Sequence, residues 1–243
     1  MELSFTGKIA LVTGAGSGIG AATALLYAEY GAKVIVADTS EKEGNDTVAR
    51  IKSKNGEATF IRMGLSSLTA CSLFIRKVAR VYGRIDIACN NASVFHESQY
   101  GADKNPETFN NEMDFDLNSL FYCMKYEIET MQKQDMGIIV NITPVPGSLG
   151  LVAFSPYVNL KYGVIELMQN PTGESLSGGI RIHAITPAFM NTSLWENAKT
   201  AEKTTLIKLS SIDRLGKMEA VARLAIWLST DDVFLSPPSK GNN

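Results

Sequence analysis

Tyr157 and Lys161 stand four residues apart, just after Ser155-Pro156, a pair suited to be the N-cap and first residue of a helix. At that spacing the phenol and the ammonium project from one helical face, and the cation lowers the phenol's pKa, giving a proton donor and acceptor near neutral pH. Alone, such a pair also fits a solvated helical face. A second chemical site lies near the amino terminus, where Thr13-Gly14-Ala15-Gly16-Ser17-Gly18-Ile19-Gly20 follows the apolar run Ile9–Val12. A glycine turn opening a helix presents backbone N–H groups and the positive helix end to a phosphate. Asp38 ends the next apolar run, 20 residues past Gly18, where a carboxylate can accept both hydroxyls of an adenosine ribose. An acid there repels a 2′-phosphate, and no Lys or Arg stands at 15–17 or 39–41 to offset it, so the residues favour NAD(H) over NADP(H).

The elements that must position these residues can be read along the chain. Strands are expected at Ile9–Val12, ending at Asp38, Ala58–Met63, Ile85–Cys89, Gly137–Thr143 and Ile180–Ile185. Helices are expected at Ile19–Tyr30, Glu41–Lys54, from Cys71 to a stop at Gly83, Met113–Gln134 with Leu117, Leu120, Phe121, Met124 and Ile128 on one side, from Ser155, and Glu219–Ser229. This alternation, without internal repeats or linkers, predicts one α/β domain over 1–243. Its core is a Rossmann-type doubly wound parallel sheet of six strands with helices on both faces.

Composition narrows the field. With 45% hydrophobic residues, 20% charged residues and a net charge of −2, no basic stripe suggests a nucleic-acid partner and nothing suggests a membrane surface. The uncharged stretch from Met136 to Leu160 is broken by Asn141, three prolines and two serines, so it does not read as a membrane span. Cys71, Cys89 and Cys123 are odd in number and set in apolar patterns, which predicts free core thiols and a reducing, cytoplasmic setting. His96 and His183 are too few for a histidine metal centre, so no metal is expected. The amino terminus lacks a signal sequence and leads straight into the first strand.

Taken together, the residues resemble the short-chain dehydrogenase/reductase family over nearly the whole chain, and most of all its bacterial NADH-dependent ketoreductases. The marks are Thr13-Gly14-x-x-x-Gly18-Ile19-Gly20, Asp38, Asn90-Asn91-Ala92, Asn118 within Asp-Leu-Asn-Ser-Leu-Phe-Tyr, Val140-Asn141-Ile142, Tyr157-x-x-x-Lys161 and Pro187-x-x-x-Asn191-Thr192. The resemblance implies an oxidoreductase interconverting a secondary alcohol and a ketone, with a small-molecule substrate. Tyr157 would exchange the proton, Lys161 would bond the nicotinamide ribose and tune Tyr157, and Asn118 would hold a relay water. The cofactor would lie on Gly14, Ser17, Gly18, Ile19, Gly20, Asp38, Leu65, Asn91 and Ala92, with Pro187, Phe189 and Thr192 at the carboxamide end.

The chain also departs from that pattern. Pro144 stands where the family has its catalytic serine, thirteen residues before the tyrosine, with Thr143 and Ser148 the nearby hydroxyls. Gly64 replaces the aspartate that meets the adenine, Ser93 a glycine, and Pro187-Ala188 the usual Pro-Gly. Pro171 should end or kink the helix of Tyr157 and Lys161, which in the family packs at the tetramer interface. The chain lacks the family's closing Val-Asp-Gly-Gly, so the seventh strand is expected to be lost and a homo-oligomer weakened. Two readings follow: an NAD(H)-dependent enzyme, or a catalytically impaired NAD(H)-binding relative acting as a sensor or partner subunit.

Overall fold

Ile9–Thr13 carries no charge and is buried along its whole length as β1, the centre of a parallel sheet. The structure is a computed structural model that describes residues 3–64, 67–92, 105–107, 110, 117–142, 179–187 and 216–231. After β1 come α1 (Gly18–Glu29), β2 (Lys33–Asp38), α2 (Glu41–Lys52), β3 (Glu57–Arg62) and α3 (Leu68–Tyr82). These are followed by β4 (Ile87–Asn90), α4 (Ser119–Gln132), β5 (Gly137–Ile142), β6 (Ile180–Ile185) and α5 (Met218–Leu228). All the described strand pairs are parallel, in the order β3-β2-β1-β4-β5-β6, which is the doubly wound arrangement the alternation predicts. The order reverses between β1 and β4, and a crevice at that switch point is where such sheets receive ligands.

Local chemistry sets the helix ends. The Ser40 hydroxyl accepts the Glu43 N–H at 3.4 Å to start α2, with acids in the first turn and bases in the last complementing the helix dipole. The Ser67 hydroxyl accepts the Ala70 N–H at 3.2 Å to start α3, which ends where Gly83 turns left-handed at φ 79°. One apolar layer packs the sheet against α1 and α5 around Tyr27, whose hydroxyl meets that of Ser229 at 2.7 Å. The opposite layer packs it against α3 and α4 through Phe74, Ile75, Cys123 and Met131. All three cysteines are buried and free, as the apolar setting predicts.

Two expectations shift, the start of β4 and the place of Phe121. Strand β4 begins at Ile87 rather than Ile85, because the Gln134 side chain takes the Ile85 N–H at 3.0 Å and returns a bond to its carbonyl at 2.9 Å. Helix α4 is described as Ser119–Gln132 with a widened helical turn at Leu117 and Asn118 before it, and the expected start at Met113 lies outside the described residues. Of the side expected to be buried, Met124 is buried and Leu117, Leu120 and Ile128 pack against the same core, but Phe121 is exposed, and Ser119, Cys123, Glu127 and Met131 are buried beside them. The row Cys123, Glu127, Met131 turns to the sheet because Glu127 bonds Asn90 there at 2.9 Å. The carboxyl-terminal residues 232–243, on which the seventh strand turns, are outside the described residues.

Candidate active site

The glycine turn is bound to β2 and to α2 on one side and to the exit of β4 on the other. Ala15 N–H bonds Ala37 carbonyl at 3.1 Å, and Gly16 N–H bonds Asp38 Oδ2 at 2.8 Å, so the carboxylate at the end of β2 faces the turn. Asp38 Oδ1 accepts Ser40 N–H at 2.9 Å, and the Thr47 hydroxyl donates to Gly16 carbonyl at 3.2 Å. Two amide donors thus fix the acid with lone pairs to spare. Gly18 enters α1 at φ 56°, a left-handed conformation that favours glycine. At Gly20 a Cβ would run into the Gly14 carbonyl oxygen and lie 2.7 Å from Asn91 Nδ2, so helix and turn approach too closely for any side chain.

The start of α1 is open to an anion. Ser17 is the N-cap but makes no capping bond with its side chain, no acid stands in the first turn, and Ala21 N–H, bonded to Ser17 carbonyl at 3.0 Å, closes the first helical turn. Ile19 and Gly20 follow Gly18 in that same turn. Its N–H groups and the helix dipole could hold a diphosphate there. A dinucleotide fits these residues.

Across the crevice, the β1–β4 ladder runs only from Ala10↔Ile87 to Val12↔Cys89. Beyond it the Thr13 hydroxyl accepts the N–H groups of Asn91 and Ala92 at 3.1 and 3.2 Å, and Asn91 Nδ2 donates to Gly14 carbonyl at 3.3 Å. The structure thus brings Gly14, Gly18, Gly20, Asn91 and Ala92 into one wall, with Asp38 at its far end. Asn118 sits in the widened turn before α4, a kind of distortion often found at functional sites. Pro187 is buried just after β6. Tyr157, Lys161, Leu65, Phe189 and Thr192 lie outside the described residues, as do Pro144 and Pro171.

Residue spacing did not reveal a second polar group beneath this wall. Asn90 Nδ2 donates to Glu127 Oε2 at 2.9 Å and to Asn141 Oδ1 at 3.0 Å, all three side chains being buried. Burial pushes the Glu127 carboxyl up to about 7, against the hydrogen bond from Asn90. Its signal in the sequence is a carboxylate four residues from both Cys123 and Met131, on an otherwise uncharged helical row.

Comparison with known proteins decides the family. The short chain dehydrogenase model matches residues 8–203. The chain belongs to that family. Cyclohexanol dehydrogenase from Acinetobacter sp. (strain SE19) is 33% identical over 96% of this chain and 91% of its own length. The 2,5-dichloro-2,5-cyclohexadiene-1,4-diol dehydrogenase of Sphingobium indicum (strain DSM 16412 / CCM 7286 / MTCC 6364 / B90A) is 31% identical over 93% of this chain and 91% of its own. Among solved structures, 7α-hydroxysteroid dehydrogenase complexed with NADH and 7-oxo glycochenodeoxycholic acid superposes with a TM-score of 0.87 at 26% identity, covering 94% of this chain and 89% of that one. As a short-chain dehydrogenase the chain is an oxidoreductase of the kind that acts on alcohols and ketones with a nicotinamide cofactor. Among the described residues no helix is long and apolar enough to cross a membrane, and no cluster of metal ligands occurs.

Proposed function

We propose that the chain is an NAD(H)-dependent oxidoreductase interconverting a secondary alcohol and a ketone, with a ring-borne carbonyl as its substrate class. The observation that carries the cofactor preference is the Asp38 carboxylate, anchored by the amides of Gly16 and Ser40 at the end of β2. Held there, it suits two ribose hydroxyls and opposes a 2′-phosphate. NADH in the superposing hydroxysteroid dehydrogenase supports the same choice. The ring substrates of that protein and of cyclohexanol dehydrogenase support the substrate class.

The bound nicotinamide supplies hydride transfer. In this reading Tyr157 gives its phenolic proton to the substrate oxygen in reduction and takes it back in oxidation. Lys161 holds the phenol's pKa down, and Asn118 holds the water that returns the proton. Gly14, Ser17, Gly18, Ile19 and Gly20 receive the diphosphate. Leu65 meets the adenine through its backbone, Asn91 and Ala92 line the nicotinamide side, and Pro187, Phe189 and Thr192 take the carboxamide. Pro144 leaves one donor to the substrate oxygen missing, a loss that typically lowers rates by ~10²–10³.

Titration with NADH and NADPH tests the cofactor, and NADH is expected to bind at least ten times more tightly. A panel of cyclic alcohols and ketones should then give turnover that disappears in Tyr157→Phe and increases in Pro144→Ser. Tight NADH binding with no turnover on any of them would favour the second reading, a nicotinamide-binding sensor or partner subunit, which rests on Pro144.

A further inference from the structure

Beneath the cofactor wall lies a carboxyl that the proposed reaction leaves unused. Glu127 is completely buried, and while its Oε2 accepts from Asn90, its Oε1 has no hydrogen-bond partner among the described residues. No lysine, arginine or histidine among the described residues pairs with it. Among the described residues the titratable groups around it are thiols: Cys71 of α3, Cys123 of its own α4 and Cys89 of β4; β5 presents the neutral Asn141. A buried carboxyl with one oxygen unbonded is costly, and its position shows what it controls.

Asn90 is the last residue of β4 and pairs in register with Asn141 of β5. Both hydrogens of its amide are committed, one to Glu127 and one to Asn141. Asn91 and Ala92 follow at once, with their N–H groups on Thr13. A change in the grip of Glu127 on Asn90 is therefore one residue away from the backbone that lines the crevice. An ionised carboxylate accepts a charge-assisted bond roughly twice as strong as a neutral one, whereas a protonated carboxyl is a weaker acceptor.

We propose that Glu127 is a positioning residue for dinucleotide binding: through Asn90 it fixes the exits of β4 and β5, so that the seat of Asn91 and Ala92 on Thr13 is firmer when the carboxyl is ionised than when it is protonated. This inference rests on the nicotinamide-binding reading above. It assigns Glu127 no contact with the dinucleotide and no part in the chemistry.

The test is the affinity of the full chain for NADH, followed by fluorescence between about pH 6 and pH 8, the range over which a carboxyl raised to about 7 changes charge. Wild type is expected to bind about three times more tightly at the upper pH. Glu127→Gln, which keeps an acceptor for Asn90 but cannot ionise, should show the same affinity at both. Glu127→Leu, which removes the acceptor, should bind at least threefold more weakly than wild type at both, with folding checked by its melting transition. Identical pH profiles for wild type and Glu127→Gln, or wild-type affinity in Glu127→Leu, would overturn the proposal. If the Leu variant does not fold, the comparison with Gln decides. Absence of NADH binding in the wild type at every pH is a separate failure, that of the cofactor reading itself.

Discussion

The crevice rests on two layers, a lining wall and a buried wall beneath it, built on opposite principles. On the β1–α1–β2 side, backbone does the work: Gly18 and Gly20 clear the approach, amides of Gly16 and Ser40 hold Asp38, and the polar groups are partly open to a ligand. On the β4–α4–β5 side, side chains do it: Asn90 donates to both Glu127 and Asn141, and all three are buried. Backbone-built walls depend on residue type at fixed spacing and tolerate no added atom. A wall built from side chains instead depends on protonation and on which helical row turns inward.

Gly20→Ala should break the first wall outright. The new methyl overlaps the Gly14 carbonyl, and NADH affinity is expected to fall at least a hundredfold, measured by titration, with a lowered melting temperature. Asp38→Ser should keep the wall but change its preference, weakening NADH about tenfold and narrowing its advantage over NADPH, since the repulsion of a 2′-phosphate goes with the acid.

The second wall answers to pH. The Glu127 carboxyl titrates near 4.5 when unfolded and about 7 when folded, so the folded state holds its proton longer. Its contribution to stability is full below about pH 4.5, is lost as pH rises towards 7, and stays lost above. At about 1.4 kcal/mol per unit, the unfolding free energy of wild type relative to Glu127→Gln should drop by ~3 kcal/mol between about pH 5 and pH 8. Urea unfolding at the two pH values checks this, and equal differences at both would show that the carboxyl does not titrate in that range.

The smallest effect is expected at Gly64, where a Cβ would meet nothing within 4 Å. Gly64→Asp restores the acid that the family places near the adenine, and one added hydrogen bond should tighten NADH about threefold without altering the melting temperature. An unchanged affinity would mean that this end of the crevice has been rebuilt.

The same division explains what could be read from the amino acids alone. The turn, Asp38 and the stop at Gly83 were legible because glycine and a strand-end acid answer local backbone demands that spacing records. The doubly wound parallel sheet was legible in the alternation of strands and helices. On α4 the apolar spacing placed Leu117, Leu120, Met124 and Ile128 against the core, but it misplaced Phe121, which is exposed, and it missed Glu127, whose buried position rests on Asn90, 37 residues away. The start of β4 was misread for a similar reason, since the amide of Ile85 is claimed by Gln134, 49 positions on. Of the expected site, the glycine turn, Asp38, Asn91 and Ala92 are on described residues, whereas Tyr157, Lys161, Leu65, Phe189 and Thr192 rest on their spacing and on the family resemblance.

Where the ladder between the two central strands gives out, a single oxygen takes over: the Thr13 hydroxyl, carrying two amides that no neighbouring carbonyl receives. With Asn91 Nδ2 on the Gly14 carbonyl beside it, this hydroxyl stitches the gap at the switch point, and the gap's width is open to tuning by the exchange of that oxygen for a methyl. Valine, nearly the same shape, would leave both amides to find water, while serine would keep the stitch.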